Sequence, residues 1–273
     1  MSEPTLSPQV FSILSSLVEE RVGLAYAPSD LELFASKACA RALDAGFESM
    51  LDYYYHLRYD DPDRREFEAL VEALLVHETF FFRELSPLEV MVDRFVAPRV
   101  AEGARPRVWC AACSTGEEPL TVAMLLAERG LLGRVELSAS DLSEDTLARA
   151  RTGRYSPRAL RQNAGHPLAA RWLRERAGAL TVEPRLLEAI RFHRLNLADP
   201  SAVRGAGAAD VIVCRNVLIY FRDALARQLV DGLTDLLPIG GVLVVGVSES
   251  LMRLSTRLRC EEHDGVFLYR RQA

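Results

Sequence analysis

Arg107–Pro119 reads RVWCAACSTGEEP, and the fold is decided in this stretch. Val108 and Trp109 have the apolar character of a buried strand end. Ala111, Ala112, Cys113, Ser114, Thr115 and Gly116 follow as a run of small residues, and Glu117 and Glu118 then open an apolar-periodic helix. Strand, tight loop and helix N-terminus in that order form the nucleotide-cradling unit of doubly wound α/β folds. Small side chains let backbone N–H groups approach a ligand, and Gly116 takes backbone angles that other residues resist.

The acids at the helix start select among ligands. A helix N-terminus favours phosphate through its free N–H groups and dipole. Here two carboxylates occupy that end, and one glycine stands where a dinucleotide fingerprint has three. A pyrophosphate is repelled, which also argues against a nicotinamide dehydrogenase. A cationic cofactor without phosphate, such as S-adenosylmethionine, fits better. The alternative is that Glu117 and Glu118 only complement the helix dipole.

Working outward, the pattern after Pro87 alternates strand and helix. The loop's helix runs through Leu120, Val122 and Leu125 to Gly130. Val135–Ser140 is a second strand ending at Asp141, and Ser143 caps the next helix. An acid at the tip of that strand suits ribose hydroxyls; a helix-capping role is its alternative. Residues 152–195 interrupt the alternation and are too long for an ordinary crossover. Within them Arg171–Arg174 reads as a helix, and Ala179–Val182 and Ile190–Leu195 read as strands of a small β-insert. Leu195–Leu197 returns to the main sheet. Asp210–Phe221 is a buried strand whose carboxyl end presents Arg215, Asn216 and Tyr220, where ligands bind in open α/β sheets. A helix over Asp223–Leu237, a strand over Gly240–Val247 and an alternating, antiparallel strand over Gly265–Tyr269 complete the chain.

The segment before Pro87 reads as helical throughout. Ser7 caps a helix ending at Gly23, Ser29 and Asp30 start one that stops at Gly46, and a third begins near Ser49 with Leu51, Tyr54, Tyr55 and Leu57 on one side. A longer helix after Pro62 carries Phe67, Leu70, Val71, Leu74 and Leu75. Lys37 and Arg41, four apart, present either a solvated face or a basic contact for a partner. In the run VHETFFFRE (76–84), Phe80, Phe81 and Phe82 cannot share one helix face, so the segment is wedged between packed bodies, with His77, Thr79 and Arg83 interleaved.

Composition supports two bodies. Up to Ser86 there are 16 acids and 7 bases; the remainder holds 22 acids and 26 bases. No basic stripe for nucleic acid stands out, and no run of 18 apolar residues or leader-like segment calls for membrane insertion. Five cysteines, mostly in strand-like runs, suit a reduced cytoplasmic protein. Cys110-Ala-Ala-Cys113 matches C-x-x-C, but without a second pair or nearby histidines no metal is expected and packing is the better reading.

Six ordered motifs, HETFFFRE, RVWCAACSTGEEP, ASD (139–141), RLNL (194–197), CRNVLIYF and GVSES (246–250), resemble the CheR-type chemotaxis receptor (protein-glutamate O-) methyltransferases over nearly the whole chain. The resemblance implies an α/β fold: a Rossmann-like S-adenosylmethionine-dependent methyltransferase domain with a small inserted antiparallel β-subdomain, preceded by an all-α N-terminal domain. It gives a helical domain over 1–70, a linker helix over 71–85 and a methyltransferase domain over 86–273 with its insert near 176–195. The implied reaction is methyl transfer from S-adenosylmethionine to glutamates on the cytoplasmic domain of methyl-accepting chemoreceptors, leaving S-adenosylhomocysteine.

Residue by residue, the resemblance puts His77, Thr79 and Arg83 at the cofactor's methionine end and the transfer site. His77 departs from the asparagine of some members. Glu117 matches a cofactor contact, Asp141 the ribose acid, Asn196 and Leu197 the adenine lining, Arg215 and Asn216 a cofactor-site pair, and Tyr220 the tyrosine beside the transferred methyl. Arg83 and Tyr220 are the implied catalytic residues. The segment Arg174–Ala179 is shorter than in members whose insert captures a receptor C-terminal peptide, which points away from such tethering. The rival readings are a donor-binding signalling scaffold without turnover and a methyltransferase for another carboxylate.

Overall fold

The computed structural model describes residues 4–254 and 257–273. The chain divides into two units, one comprising residues up to Val76 together with Tyr220–Arg222, the other His77–Ile219 and Asp223–Ala273.

The first unit is helical: α1 (Pro8–Val22), α2 (Leu31–Asp44), α3 (Met50–Tyr55) and α4 (Arg65–Leu74). Local chemistry sets the ends. The Ser7 hydroxyl accepts the Val10 N–H, Ser49 does the same for Asp52, and Gly23 closes α1 at φ 81°. Leu14, Phe34, Tyr53, Leu57 and Leu70 are fully buried. On α3 the inward face is therefore Met50 and Tyr53, continued by Leu57, while Leu51 and Tyr55 face solvent. Lys37 and Arg41 follow neither sequence expectation. Lys37 Nζ donates to the Leu74 and Leu75 carbonyls at 3.1 and 3.2 Å, satisfying the end of α4. Arg41 grips Glu66 with two hydrogen bonds of 2.8 and 2.6 Å, and the Tyr53 hydroxyl donates to the same carboxylate at 2.7 Å.

Among its described residues the second unit contains ten strands: β1 (Arg107–Ala111), β2 (Glu136–Asp141), β3 (Arg154–Tyr155), β4 (Leu173–Arg176), β5 (Ala179–Val182), β6 (Ile190–Arg194), β7 (Val211–Cys214), β8 (Val242–Val244), β9 (Leu258–His263) and β10 (Val266–Arg271). The main sheet runs β6-β2-β1-β7-β8-β10-β9, and β3-β5-β4 form a separate antiparallel sheet. The five strands from β6 to β8 are parallel; β10 is antiparallel to β8 and β9. From β1 the chain builds outward through β2 to β6, then returns to β7 on β1's other side. The strand order thus reverses between β1 and β7, and ligands bind at the carboxyl ends of strands flanking such a point.

Several sequence expectations shift. The helix implied over 71–85 ends at Leu74, because residues 75–84 run extended and then turn, with Phe82 and Glu84 left-handed at φ 66° and 44°. Ile190–Arg194 lies in the main sheet beside β2 rather than in the insert, whose sheet is built from 154–155, 173–176 and 179–182. Of Arg171–Arg174, Arg171 and Trp172 end the helix Pro167–Trp172 as expected, while Leu173 and Arg174 begin β4, since Ala177 and Gly178, both at positive φ, make the two-residue turn that pairs that strand with β5. Leu195–Leu197 is a loop beyond β6, and strand β9 was not foreseen. Phe81 and Phe82 join this unit's own core, Phe81 edge-on to Tyr155 and Phe82 stacked on His166. No described helix is long and apolar enough to cross a membrane.

Candidate active site

The loop after β1 is held in a shape few residues adopt freely. Ala112, Ser114 and Gly116 sit at φ 57°, 48° and 93°. For the first two this costs energy that surrounding contacts must offset. The Cys113 N–H donates to the Ser140 carbonyl at 2.9 Å, the Ser114 N–H to Asp141 Oδ2 at 2.7 Å, and the Tyr155 hydroxyl to the Thr115 carbonyl at 2.7 Å. Gly116 has a second reason to be glycine: a Cβ there would lie 2.8 Å from that of Ala150. Asp141's other oxygen accepts the Ser143 N–H, while Ser143 itself caps the helix Glu144–Thr152. Asp141 therefore braces the loop, and helix capping is left to Ser143. Cys110 and Cys113 are buried in the same core, and burial pushes both thiols well up.

Glu117 begins the helix Glu117–Glu128 and is only 4% exposed. Burial raises its carboxyl above the ordinary range, opposed by the Thr115 hydroxyl, which donates at 2.7 Å. Glu118 faces the other way, toward the end of β7. Arg215, whose side chain is 1% exposed, donates to Glu118 Oε2 at 2.9 Å and to Glu84 Oε2 at 2.9 Å. The same guanidinium reaches the Arg83 and Glu84 carbonyls at 2.9 and 3.2 Å. Burial also raises the Glu118 carboxyl, with Arg215 opposing. For Glu84, burial works against the charge, but hydrogen bonds from Arg215 and the Val247 N–H hold the carboxyl below the ordinary range.

Arg83 itself donates to the Glu78 carbonyl at 2.6 Å, its one hydrogen bond among the described residues, and lies 5.8 Å from the Phe80 ring centre. His77 is exposed and Thr79 half-buried on the segment leading to it. Asn216 follows Arg215 at φ 57°, its N–H donating to Glu249 Oε2 at 2.6 Å. Asn196 accepts the Ala198 N–H, and Leu197 is buried beside it; the preceding Leu195 N–H donates to the Asp141 carbonyl at 2.9 Å. Nine of the ten residues chosen from sequence thus lie in the second unit. Tyr220 ends the short turn Leu218–Tyr220 and groups with the helical unit, where its carbonyl accepts the Ala25 N–H.

Two acids, Glu84 and Glu249, were missed as contributors, and Glu118 was read only as an acid of the helix start and not as a partner of Arg215. Glu84 and Glu118 sit inside motifs already noted, but their shared partner Arg215 is distant in sequence. Glu249, 7% exposed, accepts N–H bonds from Asn216, Leu218 and Gly246 and ties the loop after β7 to the loop after β8. Its place in GVSES, straight after a buried strand, was the available signal.

The donor set suits S-adenosylmethionine. Glu117 stands at the helix start and Asp141 at the end of β2, while the buried cation Arg215 is already committed to Glu84 and Glu118 and is not free for a phosphate. The buried Ser114 hydroxyl has no hydrogen-bond partner among the described residues, leaving a polar atom in the loop for a ligand.

The comparisons agree with this chemistry. The family model for the CheR methyltransferase, SAM binding domain, matches residues 77–267. Chemotaxis protein methyltransferase 2 of Vibrio cholerae serotype O1 is 35% identical over 214 residues, 77% of this chain and 74% of that protein. The chemotaxis protein methyltransferase of Vibrio parahaemolyticus is 32% identical over 274 residues, 95% and 97% of the two chains. That of Escherichia coli (strain K12) is 30% identical over 257 residues, 92% and 88%. With matches of this extent, the chain belongs to the CheR methyltransferase family and is an S-adenosylmethionine-dependent methyltransferase.

Proposed function

We propose that this enzyme esterifies glutamate side chains on the cytoplasmic domain of methyl-accepting chemoreceptors, working in the cytoplasm and without a tethering receptor peptide. The observation that carries the reading is the pair of acids Glu117 and Asp141 beyond β1 and β2, with the buried arginine at the end of β7 already paired. Bound S-adenosylmethionine supplies an electrophilic methyl group on a sulfonium centre. The chain's residues then have to hold and orient. A glutamate has an ordinary pKa near ~4.3, so the nucleophile is ionised at neutral pH and no general base is required. What remains is desolvation of that carboxylate and its alignment in line with the methyl carbon.

Arg83 is the group for that task, because a guanidinium fork matches a carboxylate and most of its donors are uncommitted. Asp141 would hold the ribose, Asn196 and Leu197 would line the adenine, His77 and Thr79 would meet the methionine end, and Glu117 would contact the cofactor. Asn216 contributes at the end of β7, while Arg215 acts through the turn it holds. Tyr220 carries the family role of shaping the space around the methyl. The test is incubation with labelled S-adenosylmethionine and membranes from the protein's own organism. Base-labile label on a receptor-sized band is expected. Donor binding without any transfer would favour a signalling scaffold instead.

A further inference from the structure

Five of the nine non-glycine residues with positive φ among the described residues border the site: Phe82, Glu84, Ala112, Ser114 and Asn216. Two of them, Phe82 and Glu84, flank Arg83. A strained turn keeps its shape only where neighbouring contacts over-determine it. For the loop after β1 those contacts are backbone groups and Asp141. For the Arg83 turn they are the Thr121 hydroxyl, which accepts the Phe82 N–H at 3.3 Å, Arg215 on the Arg83 and Glu84 carbonyls, and the Glu84 side chain. Glu84 Oε2 accepts from Arg215 Nη2 at 2.9 Å and from the Val247 N–H at 3.0 Å, and Glu84 Oε1 lies 3.5 Å from Asn216 Nδ2. Arg215 returns to the turn through the Arg83 carbonyl and is anchored beyond it on Glu118. The carboxylate thus joins the Arg83 turn to the loops after β7 and β8, which Glu249 already fastens to each other.

We propose that Glu84 is a positioning residue for methyl transfer: by clamping the 82–84 turn to Arg215 and Val247 it aims the Arg83 guanidinium at the substrate carboxylate. This rests on the role given to Arg83 above. Glu84 touches no reacting atom and acts through its neighbour. Gly246 shows how tight the junction is. A Cβ there would lie 2.6 Å from Asn216 Nδ2 and 2.8 Å from Glu249 Oε2, so the β8 loop has no room to follow a relaxed turn.

Two readouts test the clamp, and one of them does not need turnover. In Glu84→Gln, amide hydrogen exchange over residues 82–85 and 246–248 should quicken at least ~10-fold, since a neutral carboxamide holds Arg215 and Val247 more weakly than a carboxylate and turns its NH2 toward Asn216 Nδ2. Unchanged exchange overturns the proposal whether or not the chain methylates receptors. In the transfer assay, kcat should fall ~10-fold or more, with KM for S-adenosylmethionine moving less than ~3-fold. On an Arg83→Ala background the same substitution should cost less than ~2-fold, because the residue it aims is gone. A full multiplicative loss there, or an unchanged kcat in Glu84→Gln alone, overturns the proposal. If the unaltered enzyme labels no receptor, the functional reading fails and the exchange result alone decides the clamp. Should Glu84→Gln not fold, Glu84→Asp keeps the charge but draws it back from both Arg215 and Val247, which share one carboxylate oxygen. Faster exchange over 82–85 and 246–248 supports the clamp in that variant, and unchanged exchange refutes it.

Discussion

Arg41 and Arg215 do related chemistry to different ends. In the helical unit, Arg41 meets one carboxylate, Glu66, which also receives the Tyr53 hydroxyl; both ion-pair residues lie within helices, and Arg64 just before α4 is left-handed at φ 57°. In the methyltransferase unit, Arg215 is buried between two carboxylates and holds residues whose backbone angles are unfavourable. The first network fastens one helix to another. The second leaves one negative charge in excess and keeps a turn strained. The contrast teaches that a partly solvated pair fastens one helix to another, whereas a buried arginine shared between two acids holds a strained turn.

The sharpest way to break the comparison is Arg215→Met. Removing one partner of a buried ionic network leaves the others uncompensated, a loss of about 3–5 kcal/mol. Urea unfolding should show it, together with loss of methyl transfer. Next comes Arg83→Ala, for which a loss of about 100-fold in kcat/KM is expected from lost alignment. Calorimetry should find S-adenosylmethionine binding largely intact; abolished binding would move Arg83 into the cofactor site. Arg41→Met should cost only about 1–2 kcal/mol, because the pair is partly solvated. Its kcat should match the unaltered enzyme, and a fall in kcat would erase the distinction between the two networks.

What could be read from sequence follows the range of the interactions. Ser7, Ser49 and Ser143 cap helices a few residues away, and all three were legible. The loop after Trp109 was legible because a buried strand, small residues and a helix start lie together in the chain. Lys37 and Arg41 were not, because their partners lie on α4 and at its end, 37, 38 and 25 residues on. The clamp was hidden for the same reason, Arg215 and Glu84 being 131 apart. Strand β9 escaped because it is a largely polar sheet edge with one buried residue, Leu258, and edge strands carry little apolar pattern. Ile190–Arg194 was assigned to the insert by proximity in the chain, whereas its pairing with β2 places it in the main sheet.

Glu117→Gln sets two acids of one site against each other and tests the smallest effect. Burial holds the folded Glu117 carboxyl above its ordinary value, so over the interval between the unfolded and folded values the folded state binds more protons than the unfolded one. Stability must then fall as pH rises through that interval and stay at the lower level above it. Glutamine removes this dependence while its carbonyl still accepts the Thr115 hydroxyl. The variant should therefore match the unaltered enzyme at pH 4 and exceed it at pH 7 in urea unfolding. Glu84 has the opposite sign. Its folded carboxyl lies below the ordinary range, so its contribution is present above about pH 4.3 and is lost as pH falls through the lower folded value. A Glu117→Gln protein that is more stable at pH 7 yet binds S-adenosylmethionine more weakly would identify an acid kept for the cationic donor at the expense of the fold. Lower stability at pH 7 would instead make Glu117 a structural acid of the helix start.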